Sequence, residues 1–203
     1  MAVAVNDLID KAEIILQDTG NTRWTAAELI NWGSAGQVAI VREVPTAKTS
    51  HTAVQLAAGS KQSVPSGAIE LIDVFRNMGI DGTTVGDAIT YVDKAFMDAF
   101  KPDWHSATAS TTVKHYLYDL NNPKVFWVYP KSDGTNYVDM VTSINPTALA
   151  ADGDIDLADE YEIALLDYIL FRAYQKDSSH TPQDARILGH YKAFLASLGK
   201  VEG

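Results

Sequence analysis

The sequence predicts an α+β fold in which helices from both ends of the chain form a body and β-hairpins and a meander occupy the middle. Three observations carry this reading. Apolar residues recur at helical spacing near the N-terminus and again after Asp156. Between them, runs rich in Thr, Val and aromatic residues are separated by Gly, Asn and Pro turns, the pattern of short strands. A helix-start signature, Trp24-Thr25-Ala26-Ala27-Glu28-Leu29, marks where the second helix begins. The chain of 203 residues reads as a single domain, 1–203, with β-rich insertions at about 45–65 and 108–145.

The first helix is expected over 7–18, with Leu8, Ile9, Ala12, Ile15 and Leu16 on its apolar face, Asn6 as its cap and Gly20 as a stop. At the second, the Thr25 hydroxyl can accept from the N–H of Glu28 while the Glu28 carboxylate reaches back to the cap. Trp24 and Leu29 stand where a hydrophobic staple sits. This helix runs to about residue 42 and crosses Gly33 and Gly36, each costing roughly 1 kcal/mol relative to Ala. Ala35 and Ala39 extend the small-residue surface, which suits either a close crossing with the chain's own terminal helices or a subunit contact.

From Pro45 to Pro65 the helical period vanishes, and a short hairpin about Gly59-Ser60 is expected. Residues 69–75 satisfy both the strand and the helix period, and a short helix passing into a strand by Val74 is the expectation. Gly79, Gly82 and Gly86 mark a loop. Its Gly-x-x-Gly spacing lacks the Lys-Ser or Lys-Thr of a phosphate loop. A third helix is expected over 87–100, carrying Ala88, Tyr91, Val92, Ala95, Phe96, Ala99 and Phe100 on one face and ending before Pro102. After a polar link at 108–112, residues 113–118 and 125–129 flank Asn121-Asn122-Pro123 as a second hairpin. Residues 137–142 add a strand, and these three are expected to pair in sequence order.

A fourth helix follows Asp156, Asp159 and Glu160, whose charges favour a helix start. It is apolar nearly all round between Tyr161 and Ala173, and so must be covered on more than one side, as a central core helix or at a subunit interface. The last helix begins near Thr181-Pro182 and carries Ile187, Leu188, Tyr191, Phe194, Leu195 and Leu198 before Gly199.

Composition removes several chemistries. With no cysteine there is no disulfide, thiolate metal site or thiol nucleophile. The five histidines, at 51, 105, 115, 180 and 190, show no compact ligand spacing, and no Gly-x-Ser-x-Gly elbow occurs. No catalytic, cofactor-binding or metal residue is nominated. Asp152-Gly153-Asp154-Ile155-Asp156 could offer oxygens to calcium, but it lacks the twelve-residue loop with a terminal Glu; the other reading is a solvated loop whose carboxylates cap the next helix. The formal charge of −10, with sixteen dispersed Lys and Arg, argues against a protein that grips nucleic acid through its phosphates. Acidity aids solubility, and in the lumen of a ring it would repel DNA and limit sticking. No apolar run is long enough to span a membrane, and the N-terminal stretch lacks the basic region of a secretory signal, so synthesis in the cytoplasm is expected.

The order of motifs carries more than any one of them. Trp24, Glu28, Leu29, Ile30 and Trp32 are followed by Gln62-Ser63-Val64-Pro65 leading into 69–77, then Pro102-Asp103-Trp104, His115-Tyr116-Leu117-Tyr118-Asp119 and Phe126-Trp127-Val128-Tyr129-Pro130. This ordered set resembles the head-to-tail adaptor, or connector, proteins of short-tailed bacteriophages, over most of the chain. The resemblance implies a virion structural protein and not an enzyme. It would be a dodecameric ring under the portal, extending the DNA channel and presenting a platform for tail nozzle or tail fibre proteins, with DNA passing through unread. Trp24, Glu28, Leu29, Trp32, Trp104 and Trp127 are then family-motif structural residues, and Gly33, Gly36, Tyr116 and Tyr118 are candidate interface residues. The sequence departs from related connectors in having only Lys200-Val201-Glu202-Gly203 after the last helix, where a long extension often enters the portal. Two alternatives stay open: a neck or tail-completion protein one layer below, and a soluble enzyme assembled from His115, Asp119 and His180.

Overall fold

The computed structural model describes residues 3–177 and 184–200. Within them are helices α1 (Val5–Leu16), α2 (Ala26–Glu43), α3 (Lys94–Phe100), α4 (Glu162–Asp177) and α5 (Asp184–Ser197). The strands are β1 (Thr49–Gln55), β2 (Gly59–Ser63), β3 (Ala68–Asn77), β4 (Thr90–Tyr91), β5 (His115–Tyr118), β6 (Val125–Ser132) and β7 (Tyr137–Ile144). The α+β class is as the sequence predicts. The chain divides into two units, Met1–Ala47 with Pro146–Gly203, and Lys48–Asn145.

The first unit is helical and centres on α4, against which α1, α2 and α5 all pack. Leu165, Ile169, Leu170 and Ala173 of α4 are buried with Leu8 and Ala12 of α1, Leu29 and Ile40 of α2 and Phe194 of α5. The glycines of α2 permit the closest approach. A Cβ at Gly36 would lie 2.6 Å from Leu165 Cδ1 and 2.9 Å from Tyr168 Cδ1, and one at Gly33 would lie 2.7 Å from Leu149 Cδ1. Next to Gly36 in the helix, buried Gln37 donates from Nε2 to the Thr147 carbonyl (2.9 Å) and accepts from the Asp156 N–H (2.7 Å). Ser34 Oγ accepts from the Leu149 N–H (3.0 Å). These bonds hold the segment leading into α4 against α2, and the Asp156 carboxylate accepts the Thr147 N–H within it (2.7 Å).

The entrance to α2 is built as the sequence indicates. The reciprocal Thr25–Glu28 capping box is present, and Trp24 and Leu29 are both buried in the helical core. Just upstream, the Asp18 carboxylate accepts the backbone N–H groups of Thr22 (3.0 Å), Arg23 (2.8 Å) and Trp24 (2.9 Å). Those bonds favour the charged form and hold its pKa below the ordinary carboxyl value, the Trp24 N–H contributing most. The caps of α1 differ from expectation. Asn6 lies inside the helix, Ala4 is the N-cap with no side-chain bond, and the Val5 N–H instead donates to the Gly153 carbonyl (2.9 Å). The helix ends at Gln17 in the left-handed region, ahead of Gly20. The chain leaves Asp156 through a short turn, Asp159–Tyr161, before α4 begins at Glu162. The expected start of the last helix at Thr181-Pro182 lies outside the described residues.

The second unit contains two sheets, of order β1-β7-β3 and β2-β6-β5-β4. They enclose one core to which Leu71 and Val74 of β3, Val138 and Met140 of β7, Tyr116 of β5 and Phe126 and Val128 of β6 contribute. Leu117 points to the opposite face of its sheet, as alternate strand residues do, where it packs with Met97 and Trp104. Buried Asn77 clips this unit together: its Nδ2 donates to the Asp87 and Val113 carbonyls, and its Oδ1 accepts the Val113 N–H (2.8 Å).

Four expectations are corrected here. The run 69–75 is strand throughout, inside β3, with no helix. β1 and β2 do not form a hairpin, because β1 pairs with β7 and β2 with β6. β5 and β6 do form the second hairpin, but β7 does not extend it into a meander and instead runs between β1 and β3. The third helix is shorter than 87–100. The Ile89 N–H donates to the Phe75 carbonyl and β4 pairs parallel to β5, so the helix restarts only where the Asp93 carboxylate caps the N–H groups of Ala95 and Phe96.

Two outcomes follow from this packing. Gly36→Val drives a branched side chain into buried Leu165 and should cost about 1–3 kcal/mol of unfolding free energy. Gly189→Ala on α5, where an added Cβ meets nothing within 4 Å, should gain about 0.5–1 kcal/mol; urea denaturation of both variants checks the contrast. Because the folded pKa of Asp18 is depressed, its stabilisation is complete above the unfolded value of 3.8 and is lost as pH falls through the folded value. Asp18→Ala should therefore melt below the parent at neutral pH, and the gap should close on acidification, as thermal melts across that range would report.

Candidate functional site

The tryptophans of the motif set are structural anchors in the fold. Trp24 is buried and donates from Nε1 to the Ala173 carbonyl (3.2 Å), tying the start of α2 to the end of α4. Glu28 joins the capping box and also pairs with Lys176 (2.6 Å), contacts that lower its pKa, the lysine first. Leu29 is fully buried and Trp32 packs partly buried against the same core. Trp104 is fully buried and donates from Nε1 to Asp98 Oδ1 (2.9 Å), while Lys94 pairs with the other oxygen; the two partners, the lysine first, hold the Asp98 carboxyl below its ordinary pKa. Trp127 is half-buried on β6, opposite Leu117.

The four residues nominated as interface candidates are mostly occupied within the chain. Gly33 and Gly36 face Leu149, Leu165, Tyr168 and Ile169 of this same chain. Tyr116 is buried and its hydroxyl donates to Asp73 Oδ1 (2.7 Å); burial, then the carboxylate beside it, pushes the phenol well above its ordinary pKa. What it offers outward is Tyr91, which stands edge-on to it and is exposed. Tyr118 is half-buried, donates to the Pro123 carbonyl (3.2 Å), and is also raised by burial.

The residues proposed for an enzyme do not assemble among the described residues. His115 Nδ1 lies 2.7 Å from Thr90 Oγ1 and its ring stacks on Tyr129. The Asp119 carboxylate accepts from the backbone and side-chain N–H groups of Asn121. His180 lies outside the described residues. Among the described residues, the Asp139 carboxylate stands between Arg76 (3.0 Å) and the His51 ring (2.7 Å), a rung across β3, β7 and β1. Among the described residues, no group of three or more His, Cys, Asp or Glu could hold a metal ion, and no helix is long and apolar enough to cross a membrane.

What the sequence missed is a set of outward apolar residues. Phe96 and Phe100 stack on each other at 5.9 Å and are 62% and 77% exposed, although their spacing suggested a buried helix face. With α3 reduced to a short helix, only Met97 from it is buried. Leu120, in the β5–β6 turn, and Ile80 and Val85, in the glycine loop, are also exposed. In the helical unit, α2, α4 and α5 frame a cavity of about 510 Å³ lined by Ala39, Tyr168, Phe171, Tyr191 and Phe194. Exposed apolar surface of this kind marks contact with partners more often than chemistry.

Comparison with known proteins agrees with a role in contact. No curated protein matches the chain. A family model described as SU10 adaptor protein matches residues 4–203. With nearly the whole chain inside that match, the protein belongs to the SU10 adaptor family and serves as a structural adaptor of the phage head–tail junction.

Proposed function

We propose that the protein assembles as a ring between the portal and the tail, extends the DNA channel and presents the platform on which the tail is built. The observation that carries this reading is the adaptor-family match over residues 4–203. The ordered motifs from Trp24 to Pro130 and the outward apolar residues support it. By family resemblance the ring is dodecameric, its upper partner is the portal, and its lower partners are tail nozzle or tail fibre proteins. Its place is in the virion, after synthesis in the host cytoplasm. No membrane and no cofactor take part.

The mechanism is assembly without turnover. Each copy offers shallow contacts, and closing a ring on a portal template multiplies them, because every later contact forms at high effective concentration. The two units divide the work. The helical unit supplies the body, whose tight α2–α4 crossing at Gly33 and Gly36 keeps its shape under load. The β-rich unit supplies reach, through the segment about Gly59 and the strands near Tyr116, Tyr118 and Trp127, with Tyr91, Phe96 and Phe100 as their outward side chains. The net charge of −10, with sixteen Lys and Arg dispersed along the chain, disfavours a grip on phosphates and leaves DNA free to move through the lumen.

Mixing the purified protein with the portal of the same phage and measuring the mass of the portal-bound species tests this. Multiple copies bound as a ring are expected. A protein that never joins the portal under assembly conditions belongs to a lower layer of the neck.

A further inference from the structure

The helical unit carries two exposed surfaces that differ in charge and share apolar character. One is the groove floored by α4 and walled by α2 and α5. Its cavity of about 510 Å³ continues past Phe171 and Tyr191 to a depression of about 350 Å³ at Ile187 and Leu188. One cation and one anion line it, and two further cations stand one turn from lining residues. Arg42 lines it beside Glu43, Arg172 follows Tyr168 by one turn of α4, and Lys192 follows Leu188 by one turn of α5. Among the described residues, these three cations make no ion pair within the chain.

The other surface is the outer face of α1. Its inner face is spent on the core through Val5, Leu8, Ile9, Ala12 and Leu16. Outward stand Asp7, Asp10 and Ile14, which share one stripe at helical spacing, with Ile15 beside them. Ile14 is 66% exposed and Ile15 45%. Among the described residues Asp7 and Asp10 have no ion-pair partner, while Lys11 between them is taken by Glu162.

We propose that α1 of one copy lies in the α2–α4–α5 groove of the next, with Ile14 and Ile15 on the apolar floor and Asp7 and Asp10 toward the arginines and Lys192. This rests on the ring reading above and names the contact that would build it. Each copy owns one aliphatic ridge bearing Asp7 and Asp10 and one aromatic groove with Arg42 in its lining and Arg172 and Lys192 beside it, on different parts of its surface. Such a pair makes a heterologous, head-to-tail contact, the kind that closes into rings. The apolar pair supplies the attraction, and the charges set direction and register, since ridge on ridge or groove on groove would oppose like charges.

The absence of cysteine makes a clean test possible in the full chain. Ile14→Cys and Leu188→Cys, both at exposed positions, are prepared separately, mixed with the portal present and oxidised mildly; the mass of the unmodified protein on the portal is measured alongside. A disulfide-linked mixed dimer is expected, with neither variant linking to itself. Adding Asp10→Lys to the first variant should lower its yield by about two- to fivefold, as expected for loss of an exposed charge pair. Rings by mass with no mixed dimer, or with Ile14→Cys linking to itself, overturn this docking and leave the ring reading standing. Absence of both ring and mixed dimer overturns the two together.

Discussion

The close crossing of α2 over α4 is the constraint on which the helical unit depends. Those helices come from chain segments separated by the whole of Lys48–Asn145, so neither can fold locally against the other. Gly33 and Gly36 weaken α2 by about 1 kcal/mol each as helix residues. In return they admit Leu149, Leu165 and Ile169 to within contact of the α2 backbone. Burying one Leu or Ile is worth about 1.5–3 kcal/mol, so packing exceeds propensity and the glycines stay in the helix. Gln37, on the same stretch, adds specificity that apolar contact lacks. Its one amide satisfies the Thr147 carbonyl and the Asp156 N–H, which selects a single position for the segment entering α4.

In the β-rich unit the equivalent constraint is β7, which accepts β1 on one edge and β3 on the other. Its pairing with β3 is irregular in a regular way. The register shifts between Ala68 and Glu70, between Leu71 and Asp73, and between Val74 and Arg76, so β3 spends three residues for every two of β7. Each shift adds a bulge that turns the strand. The result is that Ala68, Leu71, Val74 and Asn77, three apart, are the buried residues of β3. That spacing belongs to helices in an isolated sequence, and here a bulged strand produces it.

In this structural adaptor the polar groups with displaced pKa values serve the fold. Buried Tyr116 on Asp73, and the partly exposed Asp98 on Trp104 and Lys94 and Asp18 on three backbone N–H groups, each end in a contact that holds backbone or strand in place. The resources of the surface go elsewhere. Phe96, Phe100, Leu120 and Ile14 face outward while large apolar side chains fill both cores, which is costly for a lone chain in water and useful for one that will be covered by neighbours.

The sequence by itself determined the fold class, the α2 entrance at Thr25 and Glu28, the apolar identity of α4, the β5–β6 hairpin and, through the order of its motifs, the adaptor family. These are features whose physics is local, a cap, a period or a turn, or whose signal is the succession of short phrases along the chain. Tertiary structure alone decided the rest. Which strands pair depends on contacts between residues far apart, so β1 and β2 part company although a turn at Gly59 would join them, and β7 leaves the meander for β3. Whether an apolar face is buried depends on what else arrives there. Residues 87–92 are drawn into pairing with β3 and β5, and Phe96 and Phe100 are left outside because the helix that remains has room to bury only Met97.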